Sequence, residues 1–242
     1  MGRKDFLSIT FYKYVDIKNP ESVRDSYREL MLEHDAKGKI ILSREGINGA
    51  VSGKARDVTM FMENVKKMEG MHDLSFRVTR TEDYGFKRTL VKIRPEIVPL
   101  GVPGVTPSTS GGGIPLKPSE LREWYERKED FIVLDTRNDY EYEAGRFKDS
   151  VNPGIKRFRD FQNTTSLLEK YKDKKIVTFC TGGVRCEKAS AFLKSKGFKE
   201  VYKLDGGIID FLKEEGGSGY FEGDCFVFDT REKIGGEFCR ID

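Results

Sequence analysis

The sequence predicts an α/β and α+β chain in two domains: an N-terminal α+β domain of element order βαββαβ, then a doubly wound parallel α/β domain. Three observations predict this. Residues 95–118 hold six of the eight prolines and the run Gly111-Gly112-Gly113, a density that continues neither a helix nor a central strand and marks a linker. Before it, aromatic and β-branched segments are separated by two amphipathic segments. After it, helical segments alternate with short apolar ones, the pattern of a parallel sheet with helices on both faces. The domains expected are therefore 1–94 and 119–218, with the linker at 95–118 and a tail at 219–242.

The first domain opens with a strand over 6–14, followed by a helix from Pro20 to Lys37 with Asn19 as cap and Gly38 closing it. Strands at 39–43 and 49–52 are joined through Arg44-Glu45-Gly46-Ile47-Asn48, where the Asn48-Gly49 pair suits a tight turn. A second helix covers 55–68 and a strand 73–80. That order is the one a ferredoxin-like sandwich uses, a fold that identifies no function by itself. A further strand, Phe86 to Arg94, has two readings. It is an edge strand guarded by cations, or a phosphate-contacting stripe of Lys87, Arg88, Lys92 and Arg94, aided by Arg77 and Arg80.

In the second domain, Ser119 can cap a helix over 120–128, Phe131–Leu134 reads as a strand and Asp139–Ala144 as a short helix. Val151 falls in a brief strand and Ser166–Tyr171 in a helix. Strands at 176–179 and 201–204 are followed by helices at 187–196 and 208–214. Ligands of such sheets bind at the carboxyl ends of the strands, which is where Cys180 falls.

Composition bounds the function. With 34% charged and 37% hydrophobic residues the chain is globular, and no apolar run approaches the roughly 20 residues of a membrane helix, so no membrane role is expected. The start, Met1-Gly2-Arg3-Lys4-Asp5, lacks the apolar core of a secretion signal, and a cytoplasmic, reducing location is expected. The four cysteines then read as catalytic or buried rather than disulfide-bonded. Residues 1–100 carry 19 basic and 15 acidic groups, a net +4, leaving −1 for the remainder. That bias is a weak pointer to nucleic acid.

The chemistry centres on Cys180-Thr181-Gly182-Gly183-Val184-Arg185-Cys186. A strand, a tight loop and a helix N-terminus in that order bring backbone N–H groups together on one point. A cysteine there is partly thiolate near neutral pH, with Arg185 favouring the charge. Cys186 reads either as a small core residue or as a thiol that resolves an oxidised or persulfidated Cys180 through a disulfide.

Three ordered motifs make the second domain resemble a rhodanese domain: Val133-Leu134-Asp135-Thr136-Arg137-Asn138 with Glu141-Tyr142-Glu143-Ala144-Gly145, the Cys180 loop, and Tyr202-Lys203-Leu204-Asp205-Gly206-Gly207-Ile208. The family usually has a histidine where this chain has Arg146, so no role carries over to that position. Phosphatases with related loops need an arginine six positions after the cysteine. Here that position is Cys186 and the arginine stands one earlier, so the loop resembles the sulfurtransferase type. In that type the thiolate takes up sulfur from a small anionic donor, which Arg185 would attract.

The whole chain resembles something narrower. Ser43-Arg44-Glu45-Gly46-Ile47-Asn48-Gly49, Val91-Lys92-Ile93-Arg94-Pro95-Glu96-Ile97-Val98, the loop Cys180-Thr181-Gly182-Gly183-Val184-Arg185-Cys186-Glu187-Lys188 and Cys225-Phe226-Val227-Phe228-Asp229 together look like the bacterial rhodanese-containing tRNA uridine(34) hydroxylases. The resemblance implies oxygen-dependent hydroxylation of the wobble uridine at carbon 5, tRNA as partner, molecular oxygen as co-substrate and Cys180 as the catalytic cysteine. No cofactor motif is identifiable in the sequence itself. The local chemistry alone favours the alternative, sulfur transfer through a Cys180 persulfide.

The remaining candidates have bland readings beside them. Asp135 and Arg137 form a structural ion pair or brace the loop. Lys156, Arg157 and Arg159 line an approach for an anion or form a solvated run. Cys225 and Cys239 stand 14 positions apart and make half of a zinc site at most, so no metal is predicted. His34 and His72 are given no ligand role.

Overall fold

The computed structural model describes residues 5–215, 219–226 and 233–235; Cys239, one of the two tail cysteines, lies outside them. The described chain divides into two compact units, the first ending at Ile97 and the second beginning at Val98.

The first unit runs β1 (Phe6–Tyr14), α1 (Pro20–Glu33), β2 (Lys37–Ser43), β3 (Gly46–Lys54), α2 (Ala55–Lys67), β4 (Arg77–Thr81) and β5 (Thr89–Ile93). The sheet order is β4-β1-β3-β2-β5, antiparallel except for the parallel β2–β5 pair. The first four strands are the βαββαβ sandwich, and β5 adds an edge. Alternation puts Leu7, Ile9 and Phe11 of β1 and Ile40 and Leu42 of β2 in one core with Tyr27 and Met31 of α1 and Val58, Phe61 and Val65 of α2.

Several boundaries differ from the sequence reading; the strand read over 73–80 is β4, which begins only at Arg77. α1 begins as expected, with the Asn19 side chain accepting the Ser22 N–H, but it stops at Glu33, short of Lys37. Asp35 takes the left-handed conformation (φ 41°), and the Ala36 N–H bonds back to the Met31 carbonyl at 2.8 Å, closing the helix. Gly38 is a strand residue, and an added Cβ would lie 2.1 Å from the Ala50 oxygen. The β2–β3 hairpin turns at Arg44-Glu45, where the Ser43 hydroxyl accepts the Glu45 N–H at 2.9 Å. Asn48 and Gly49 lie inside β3, opposite Tyr12 and Phe11. A Cβ on Gly49 would meet the Phe11 ring at 2.5 Å, so that glycine makes room for an aromatic ring and forms no turn.

The second unit contains α3 (Pro107–Ser110), β6 (Ile114–Leu116), α4 (Pro118–Glu126), β7 (Phe131–Asp135), α5 (Asp139–Ala144), β8 (Gly145–Phe147), α6 (Thr165–Leu168), β9 (Lys175–Phe179), α7 (Val184–Ser195), β10 (Glu200–Leu204), α8 (Gly207–Glu215), β11 (Phe221–Phe226) and β12 (Lys233–Gly235). Its main sheet, β6-β10-β9-β7, is parallel throughout, and Val151 bridges Leu134 beyond β7. A second, antiparallel sheet has the order β12-β11-β8. The proline-rich stretch is largely part of this unit: Ile114–Leu116 pairs with Tyr202–Leu204, and Val98 and Leu100 are buried. α4 is capped at Lys117, whose N–H the Glu120 carboxylate accepts at 2.8 Å, with Pro118 in the first turn, so Ser119 is not the cap.

Candidate active site

The loop around Cys180 begins where β9 ends. Phe179 completes the strand, Gly183 takes a left-handed φ of 90°, and α7 starts at Val184. That start is three residues earlier than expected and brings Arg185 and Cys186 into the first turn. The Cys186 N–H bonds back to the Gly183 carbonyl at 3.1 Å, and the N–H groups of this first turn face the loop. Cys180 is 1% exposed, and its sulfur accepts the Gly183 N–H at 3.0 Å together with the N–H groups of Arg185 and Cys186. The Cys186 thiol donates to the same sulfur.

These contacts set the ionisation of the pair. Burial pushes the Cys180 thiol up, but the Cys186 hydrogen bond, the Arg185 charge and the two helix N–H groups outweigh it and pull the group down to about 5. Cys186 moves the opposite way, raised by burial and then by its hydrogen bond to the Cys180 thiolate. One thiolate and one thiol in contact is the state that follows, and both cysteines are free of disulfides. Thr136, at the end of β7, approaches the Cys186 sulfur at 3.8 Å and donates to the Phe179 carbonyl at 2.8 Å, tying the two strand ends together.

Arg185 is matched by a residue that sequence reasoning quoted in a motif and did not place in the site. Its Nη1 and Nη2 donate to the two oxygens of Glu141, each at 2.7 Å, and both side chains are buried. Burial works against the Glu141 charge, but the Arg185 hydrogen bonds and charge prevail and hold the carboxyl below its ordinary range. Glu141 also accepts the Asn138 N–H at 3.2 Å as a cap of α5. Asn138-x-x-Glu141 was a visible capping signal; its second partner was not visible. With both outer nitrogens on Glu141, Arg185 is an internal counter-charge for the thiolate and not an open receptor for a sulfur-donor anion.

Asp135 and Arg137 form a second buried pair at 2.7 Å, and Arg137 also donates to the Gly145 carbonyl at 2.6 Å. They join β7 to β8 and brace the floor behind the loop. The loop is held on its other side by the first turn of α8. The N–H groups of Ile208 and Ile209 donate to the carbonyls of Cys180 (3.0 Å) and Thr181 (3.2 Å). Gly207, at φ 66°, sits so close that a Cβ would lie 2.4 Å from the Cys180 oxygen. Arg146, where the family has a histidine, lies 5.1 Å over the Tyr142 ring.

The basic residues do not form one stripe. β4, with Arg77 and Arg80, is at one edge of the first sheet, and β5, with Lys92 and flanked by Lys87, Arg88 and Arg94, is at the other. Four inter-strand spacings of about 4.8 Å separate them, so nearness in sequence misled. Lys156, Arg157 and Arg159 are exposed between buried Ile155, Phe158 and Phe161. Cys225 is buried in the core of the second unit, and among the described residues no three His, Cys, Asp or Glu side chains gather into a metal-holding group.

Family models match both parts of the chain: a UPF0176 acylphosphatase-like domain over residues 6–97 and a rhodanese-like domain over 117–214. A tRNA uridine(34) hydroxylase of Legionella pneumophila strain Lens is 41% identical over 243 aligned residues, covering 98% of this chain and 94% of the relative. The chain belongs to the tRNA uridine(34) hydroxylase family. Further members are those of Cytophaga hutchinsonii, 41% identical over 94% of this chain and 72% of the relative, and Staphylococcus carnosus, 40% identical over 95% and 73%. The hydroxylase family therefore spans both units and includes the Cys180 loop.

Proposed function

We propose that this chain hydroxylates uridine 34 of tRNA at carbon 5, with molecular oxygen as co-substrate and Cys180 as the reactive group. The observation that carries the reading is the match along nearly the whole of a relative of that name, front domain included. One atom of molecular oxygen enters the base and the other leaves as water, with the two electrons drawn from an external reductant. The protein's part is to keep a sulfur anion ready: three backbone N–H groups and the Cys186 thiol surround the Cys180 sulfur. The Arg185–Glu141 pair places a positive group beside the anion while leaving the pair itself neutral. Burial of Cys180 keeps bulk water from competing for those hydrogen bonds.

On the front domain, the β5 edge with Lys87, Arg88, Lys92 and Arg94 is the side proposed to meet the tRNA backbone. Three of these side chains flank the strand and one lies within it, all exposed. The test is mass spectrometry of tRNA nucleosides from cells lacking the chain, rescued with the parent or Cys180→Ser. Loss of 5-hydroxyuridine-derived nucleosides, restored by the parent and not by the variant, is expected. If thiolated nucleosides are lost while hydroxylated ones stay unchanged, sulfur transfer replaces this reading.

A further inference from the structure

Two segments singled out in the sequence, Ser43–Gly49 and Val91–Val98, find no use in the chemistry of Cys180. The fold brings them together. The Arg94 N–H bonds to the Leu42 carbonyl at 2.8 Å, the Glu45 carboxylate accepts the Ile97 N–H at 2.7 Å, and Asn48 donates to the Ile97 carbonyl at 3.3 Å. The hairpin turn is fixed in addition from the segment after β1, through Ile17 N–H to the Arg44 carbonyl at 3.0 Å.

The junction leaves a cleft of about 360 Å³ lined by Pro20, Glu21, Arg44, Ile93, Arg94 and Pro95. That is the lower end of the range of small-ligand sites, about 300–1,000 Å³. Among the described residues the Arg44 guanidinium makes no hydrogen bond or ion pair, and that of Arg94 donates only to the neighbouring Ile93 carbonyl, at 2.9 Å. Among the described residues, two guanidinium groups without carboxylate partners therefore line one cleft whose only acidic wall is Glu21. Like charges gathered on a rigid frame repel each other, and an anion between them relieves that repulsion through paired N–H donors.

We infer that the Arg44–Arg94 cleft is a phosphodiester subsite that takes one backbone phosphate of the RNA substrate. The inference rests on the functional reading above, which supplies RNA as the substrate class. It extends the β5 edge at the end where Arg94 lies and adds Arg44, which stands in a different strand connection. Glu21 leaves the cleft with a net single positive charge, suited to a phosphodiester. A phosphomonoester, with its larger charge, would be less well matched.

The test is binding of a full tRNA transcript to the full chain at several salt concentrations. In the double variant Arg44→Gln/Arg94→Gln, affinity at low salt is expected to fall about tenfold. The slope of log affinity against log salt should drop by about one contact's worth. Glu21→Gln should tighten binding. The double variant Lys66→Gln/Lys67→Gln, an equal charge change at exposed positions of α2, should leave the slope as it is. An unchanged slope in Arg44→Gln/Arg94→Gln, with its thermal midpoint retained, overturns the subsite, and so does an equal drop in Lys66→Gln/Lys67→Gln. Failure of the functional reading is seen separately, as unaltered tRNA nucleosides in cells lacking the chain.

Discussion

Arg185 and Glu141 meet through two parallel hydrogen bonds of 2.7 Å across 44 positions of sequence, and that pair joins the first turn of α7 to α5 beside the Cys180 sulfur. Removing one partner of a buried pair leaves a desolvated charge behind, which costs about 3–5 kcal/mol. Glu141→Gln keeps one acceptor, so a loss near the lower end of that range is expected in urea unfolding. The same variant leaves the Arg185 charge uncompensated beside Cys180. The pH midpoint for alkylation of Cys180 should then move down. Unchanged stability together with an unchanged midpoint would show that the pair does neither job.

Cys180 itself gives a pH prediction. Its folded-state value is pulled from 9.0 to about 5, so alkylation by iodoacetamide should be level above about pH 6 and fall away below about pH 5. Cys186→Ala removes the thiol that donates to the sulfur, and the midpoint should rise. For stability the sign is that of a depressed acid: the unfolded chain binds the proton at higher pH than the folded one does. The stabilisation from this group is complete above about pH 9, declines as the pH falls towards 5 and is absent below it. Comparing unfolding free energies of the parent and Cys180→Ala across that interval isolates the effect. A difference between them that does not change with pH would contradict a native thiolate.

Legibility in the sequence followed the range of the interactions. β1 reads correctly to the residue because aromatic and β-branched types fill 6–14, and Asp139–Ala144 because capping signals bracket it. The end of α1 was misread because Gly38 is a stronger stop signal than Asp35, although Asp35 is the residue that takes the left-handed conformation. Asn48-Gly49 likewise outweighed Arg44-Glu45 as a turn, and only the presence of the Phe11 ring opposite explains why a glycine is there. Cys180, its loop and Cys186 were legible, since they are contiguous. Glu141 was not, because its role depends on Arg185 far along the chain. Nor was the separation of Arg77 and Arg80 from Lys87 and Arg88, which only strand order decides.

That separation has a consequence for RNA binding. Charge reversal at Lys87 and Arg88 is expected to weaken tRNA binding several-fold and flatten its salt dependence, because phosphate contacts are lost there. Reversal at Arg77 and Arg80, on the far edge of the same sheet, should change the salt slope little. Fluorescence anisotropy with a labelled tRNA transcript at 50 to 200 mM salt, roughly the range over which such slopes are resolved, distinguishes the two. Equal effects from both pairs would mean that net charge alone drives association and that no edge is preferred.

The start of α8 offers a test of the loop geometry that touches no reacting atom. Gly207 has a φ of 66°, where an L side chain is strained, and an added Cβ would also lie 2.4 Å from the Cys180 oxygen, 2.8 Å from the Thr181 oxygen and 3.0 Å from the Gly183 nitrogen. All three are backbone atoms of the loop that holds the sulfur, so the clash cannot be relieved by rotating a side chain. Gly207→Ala should therefore cost about 1–3 kcal/mol in stability. It should also push the loop away from the Ile208 and Ile209 N–H groups that now bind the carbonyls of Cys180 and Thr181. A shifted loop loses some of the N–H donors around the sulfur, so the alkylation midpoint of Cys180 should rise and formation of 5-hydroxyuridine should fall while tRNA affinity is kept. The strain alone would lower stability and leave the midpoint where it is. A variant that is less stable but has the parent's alkylation profile would assign Gly207 to folding and remove it from the support of the thiolate.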